Sequence, residues 1–169
     1  FHETAFGLAV DVGSTTIAAH LCDLVSGEVV ASAGRMNPQI RFGEDLMSRV
    51  SYSMMNAGGA AQMTAAVREA LSELAAEVSA SAGIDKESIL EVTLVGNPIM
   101  HHLVLGINPV ELGTAPFALA SDAACSVPAR DLDIAINAGG YVYALPCIAG
   151  HVGADTAGVL LAEAPYERD

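Results

Sequence analysis

The chain has 169 residues, 52% apolar and 16% charged, enough to bury a sizeable core in one domain, and no apolar run is long enough to cross a bilayer. Its 20 acids and 7 bases give a formal charge of −13, which argues against nucleic acid and anionic membrane surfaces, where basic patches provide the affinity. Cys22, Cys125 and Cys147 lie far apart with no CxxC pair, so neither a disulfide framework nor a paired-cysteine metal site is indicated, and a reducing cytoplasm fits best.

Phe1 to Thr4 reads as a linker remnant, and residues 1–6 as linker ahead of a domain at 7–169; the apolar run that follows has no basic leader of the kind a signal peptide carries. In that run, LAVDVGSTT from Leu8 to Thr16, one aspartate stands in an apolar strand that breaks into a glycine-hydroxyl turn. Apolar residues resume at Ile17, which predicts a hairpin with Gly13, Ser14, Thr15 and Thr16 at its tip. A carboxylate in a buried strand is costly without a partner, and metal-bound water is the partner to look for at Asp11. Glycine freedom at Gly13 would let successive amides face one anion, with the hydroxyls of Ser14, Thr15 and Thr16 as further donors. The plain alternative is a tight turn in which these groups satisfy only local backbone.

Ser26-Gly27 then makes a second turn and Glu28 to Ala33 a third strand. Arg35 to Phe42 reads as a loop and EDLMSRVSY as a short helix with Leu46, Met47, Val50 and Tyr52 on one side. Asn37, Gln39, Arg41 and Asp45 are candidates for ligand or partner contact, or simply a polar connection with Asp45 near a helix start. Gly59 to Ala82 is the longest predicted helix, with Met63, Val67, Ala70, Leu71, Leu74 and Val78 on its apolar stripe and Gly83 as its stop. Asp85 caps a turn, and Glu91 to Val95 is a fourth strand, parallel to the first because a long helix intervenes. Asn97 and Pro98 open another helix; its His101 and His102 are adjacent rather than four apart, which suits packing or surface roles better than metal ligation.

Gly106 to Leu132 is a long irregular stretch that Pro116-Phe117 is expected to anchor to the core. Ile134 to Ile136 reads as a short strand and Tyr141 to Leu145 as a fifth main strand. In CIAGHVGADTAGVLLAEA, Ala149, Val152, Ala157, Leu160 and Leu161 give an apolar helical side, and Gly150, Gly153 and Gly158 allow close approach to neighbouring backbone. Asp155, a lone acid near that helix start, is a candidate for catalysis or metal contact, with a solvated, dipole-facing aspartate as the competing reading.

Three antiparallel strands followed by helix, strand, helix and strand is the order of an α/β, ribonuclease H-like half-domain, here a mixed five-stranded sheet with helices on both faces. With DVGSTT at the first hairpin, the chain resembles the N-terminal half of an actin-like ATPase domain of the superfamily of acetate and sugar kinases, heat-shock chaperones and actin (ASKHA). More closely, NPQIRFGEDLMSRVSY (Asn37 to Tyr52), LVGNPIMHHLVLGINP (Leu94 to Pro109) and LPCIAGHVGADTAGVLLA (Leu145 to Ala162) resemble the ATPase domain of reductive activators of corrinoid proteins. The resemblance implies ATP and magnesium as ligands of the complete domain. It places Asp11 at the metal-water shell, Gly13, Ser14, Thr15 and Thr16 at the phosphates, and Asp155 as the acid that orients water or touches the metal. It also implies a 2Fe-2S cluster in a ferredoxin-like domain not contained in this chain, and a corrinoid protein or corrinoid methyltransferase system as partner, with a second copy of the chain as a further candidate. The second phosphate loop and the adenosine pocket are not matched here, so the isolated chain is expected to hold half a nucleotide site and to be inactive alone. The runner-up within the superfamily is the activator of 2-hydroxyacyl-CoA dehydratases, whose paired cluster cysteines this chain lacks. The reading from another class is a non-catalytic module that docks a protein through Asn37 to Arg49.

Overall fold

The computed structural model of the chain describes residues 4–164, and in it the opening alternation of apolar residues becomes two paired strands. β1 (Phe6–Val12) and β2 (Thr16–Asp23) run antiparallel with Val12 opposite Ile17, and β3 (Val29–Met36) adds antiparallel to β2. Phe6, counted in the expected linker, is the first residue of β1 and buried; residues 1–3 of that linker, like 165–169 of the expected domain, lie outside the described residues.

A 3-10 turn at Pro38–Phe42 leads to α1 (Leu46–Met55), whose first turn is capped by the Asp45 carboxylate accepting from the Ser48 N–H at 2.7 Å. α2 (Gly59–Ala82) has the bounds its periodicity predicts and stops at Gly83, where φ is +68°. β4 (Ile89–Gly96) pairs parallel to β1. α3 (Pro98–Leu105) starts with proline in its first turn and the Asn97 side chain accepting from the Met100 N–H. β5 (Cys125–Pro128), β6 (Tyr141–Ala144) and α4 (Ala154–Glu163) complete the chain.

The result is an α/β fold on one six-stranded mixed sheet in the order β3-β2-β1-β4-β6-β5. The sixth strand corrects the expectation of five: Cys125–Pro128 is a strand because it finds an antiparallel partner in β6. Ile134 and Ile136, expected as strand, are buried in an irregular connection instead. A four-residue edge strand ending in proline has too little alternation to stand out locally.

Side chains alternate across the sheet, and one face carries the main core. Leu8, Val10 and Val12 of β1, Ile17, Ala19 and Leu21 of β2, and Val92 and Leu94 of β4 pack there with Met63, Val67, Leu71, Leu74 and Val78 of α2. α4 takes the other face, where Gly158 lies against Val95. Its outer side departs from expectation: Ala154 and Ala157 are buried, whereas Val159, Leu160 and Leu161 are exposed, and Ala149 and Val152 precede the helix. The irregular stretch is fastened by buried Leu112 rather than Pro116, which is exposed; Phe117 packs against His151 with ring centres 4.3 Å apart and planes tilted by 58°.

Candidate functional site

The turn between β1 and β2 is built by pulling its carbonyls inward. Gly13 O accepts from Asn37 Nδ2 at 2.8 Å, Ser14 O accepts from Arg49 Nη2, and Thr15 O accepts from the Asn37 N–H at 2.8 Å. A peptide unit is planar and trans, so each carbonyl directed into the body sends the next residue's N–H the opposite way. The Ser14 and Thr15 amides therefore face away from the buried Asn37 and Arg49 side chains, an arrangement that suits an anion. Gly13 contributes differently from expectation. Its N–H is committed to Thr16 O at 3.1 Å, and glycine is required for space: a Cβ there would sit 2.5 Å from Thr16 O.

Asp11 stands one residue before the end of β1, on the face opposite the main core. Partial burial pushes its carboxyl above the usual carboxylate range, and the Asp155 carboxylate raises it further. That coupling links electrostatically the two acids singled out in the sequence, one from each end of the described chain. The reason lies in Gly153, whose Cβ would meet Gly96 O at 2.5 Å and the Asn97 Cα at 2.6 Å. Only glycine lets the start of α4 rest on the end of β4, the strand beside β1. Asp155 lies in the first turn of α4, and its Oδ1 accepts from the neighbouring Thr156 N–H at 2.8 Å, so the dipole-facing reading of this acid also has a contact behind it.

Magnesium takes one or two carboxylates and keeps most of its waters, and two acids whose repulsion a divalent cation would relieve fit that demand. Among the described residues no group of three or more His, Cys, Asp or Glu is gathered, so the chemistry of a zinc site or an iron-sulfur cluster does not fit them.

Other candidates are moved out of the site. Asn37 and Gln39 are fully buried: Asn37 Oδ1 accepts from the Gln39 N–H, and Gln39 Nε2 donates to Met63 O of α2 at 3.0 Å. Asp45 is a helix cap, and Arg41 lies over its neighbour Phe42. Arg49, the last residue of the proposed docking segment, is fully buried on the inner side of α1, where Met47 was expected and is exposed. Asn37, Gln39 and Arg49 are thereby removed as contact residues of the Asn37 to Arg49 segment, whereas its Arg41, Glu44, Asp45 and Met47 stay exposed. His101 and His102 pack inside, as their spacing suggests; His102 Nε2 accepts from the Ala120 N–H at 3.1 Å and so ties the irregular stretch to α3. A groove of about 780 Å³ runs elsewhere, along α2 past Thr64, Arg68 and Asp133, and neither the turn nor either site acid lines it.

Residues 6–167 match the family described as the RACo middle region. The chain is 36% identical over 156 residues to the corrinoid activation enzyme RamQ of Eubacterium limosum, a match covering 92% of this chain and 26% of that protein. A solved structure titled reductive activator for corrinoid, iron-sulfur protein superposes over 100% of this chain and 27% of its own, with a TM-score of 0.94 and 36% identity. The chain thus spans about a quarter of the length of these relatives. With the family matched across nearly every residue and the backbone superposing throughout, the chain belongs to the RACo and RamQ family of corrinoid-activation proteins and corresponds to the family's middle region.

Proposed function

We propose that this chain is the first lobe of an ASKHA-type, ribonuclease H-like ATPase domain within a reductive activator of corrinoid proteins. The observation that carries the reading is the electrostatic coupling of Asp155 to Asp11, which stands just before a turn whose carbonyls are held from behind by Asn37 and Arg49. Phosphoryl transfer asks a protein mainly for positioning and charge stabilisation. In this reading the Ser14, Thr15 and Thr16 amides and hydroxyls hold terminal phosphate oxygens, Gly13 keeps the turn tight, and Asp155 orients the attacking water. A magnesium ion held through water by Asp11, with Asp155 nearby, would neutralise charge on the phosphates. A lobe of this kind forms one wall of a cleft, and the relatives' names, a corrinoid activation enzyme and a reductive activator, support a role in reductive activation of a corrinoid protein; in our reading, nucleotide-driven closure supports transfer of one low-potential electron onto its Co(II) form. The electron comes from a 2Fe-2S cluster held in a segment outside this chain.

The test uses the full-length protein with its cluster reduced and a Co(II) corrinoid protein, following the cobalt absorption spectrum. Conversion to Co(I) with ATP and none without it is the expected result. Equal conversion in both, or none with partners from several methyl-transfer systems, would contradict the proposal.

A further inference from the structure

Arg49 is fully buried, and among the described residues no carboxylate forms an ion pair with it. Its nearest acidic neighbour, Asp45, is exposed and occupied in capping α1. The guanidinium instead spends its donors on neutral acceptors: Nε on Gly43 O at 3.0 Å, Nη1 toward Gln39 Oε1 at 3.5 Å and Met100 Sδ at 3.3 Å, and Nη2 on Ser14 O. A buried cation held without an ion pair is costly even when its donors are satisfied, so filling space alone gives no reason for an arginine here.

Its placement does. Ser14 C=O and Thr15 N–H belong to one peptide unit, so a cation donating to that carbonyl polarises the amide on the opposite side and makes its N–H a stronger donor. The same bond fixes which way the unit points. We infer that Arg49 is a positioning residue for the phosphate turn: from behind, it orients the Ser14–Thr15 peptide unit, and with it the Thr15 N–H, and sets a permanent positive charge beneath the place where phosphate binds. The inference rests on the nucleotide reading above and adds the residue that makes the turn electrostatically selective. Arg49 does not touch the ligand. Its effect grows with the charge held at the turn and reverses partly when another cation replaces it.

The experiment measures binding of Mg-ATP and Mg-ADP to the full-length protein as wild type, R49M and R49K. R49M is expected to bind ATP about tenfold more weakly and ADP only a few-fold more weakly, and R49K to recover part of the ATP loss. Equal losses for both nucleotides, or no loss, overturns the inference. Should R49M not fold, R49K decides: a larger loss of affinity for ATP than for ADP supports the inference, and equal losses or none overturns it. Absence of nucleotide binding in wild type would strike the nucleotide reading itself, a result separable from the other two.

Discussion

Asp11 carries a conflict between fold and site. A carboxyl whose pKa is raised in the folded state binds its proton more tightly there than in the unfolded chain, so ionising it above the ordinary aspartate range lowers stability as pH rises. Asp11→Asn should therefore give a small rise in melting temperature at pH 7 and abolish magnesium-dependent nucleotide binding; a lower melting temperature in differential scanning calorimetry would contradict this account of the pair. His101 works in the opposite direction. Its ring nitrogens find no hydrogen-bond partner inside the core, and the Leu145 carbonyl favours the protonated ring without completing a bond. Burial, with His102 beside it, lowers its pKa from 6.5 to about 4, so the ring stays neutral in the fold while the unfolded chain takes up a proton. Stability is fully present above pH 6.5 and falls toward pH 4, by as much as about 3 kcal/mol from this group. Urea unfolding at pH 7 and pH 5 should show the loss, and H101Q should flatten it.

Asp11 and the 13–16 turn were legible in the sequence because a lone acid and a hydroxyl cluster interrupt an apolar strand. Arg49 was not: an arginine among serines and methionines on a short helix reads as surface, and only tertiary structure reveals that its partners come from the first hairpin and the Gly43 turn.

Between elements, glycines decide the fit. Gly153 seats α4 on backbone atoms of Gly96 and Asn97, which cannot move aside as a flexible side-chain end would. G153A should cost about 1–3 kcal/mol in chemical denaturation and weaken nucleotide binding by tilting Asp155 away from Asp11. Unchanged stability would mean that α4 tolerates displacement and does not set the spacing of the acids. α2 was readable to its end residues because a long amphipathic period carries its own signal. β5 exists through its pairing with β6, a long-range contact with no local trace. The apolar residues of α4 were seen but their burial was misjudged, since periodicity shows that residues share a side without showing whether anything covers it.

For the whole molecule, the sheet is unevenly dressed. α2 and α3 lie over one face, while α4 covers only part of the other and leaves Val159, Leu160, Leu161 and Tyr143 exposed. The open face and the end of β1 with its turn belong to the same side of the sheet as Asp11, which is where a second lobe would meet this one in the proposed ATPase. The strand order was largely readable in advance, because antiparallel hairpins and helix-separated parallel strands leave few alternatives. A link between Asp11 and Asp155, 144 positions later, was not derivable from pattern and entered through family resemblance.

That link is tested most directly by calorimetric titration of Mg-ATP into the full-length protein as wild type, D11A, D155A and the double variant. Two acids serving one magnesium-phosphate site should each weaken magnesium-dependent binding by tenfold or more, on the order of 1.4 kcal/mol apiece, and the double variant should lose clearly less than the sum. Additive losses, or affinities unchanged by either substitution, would show that the two carboxylates do not share a ligand.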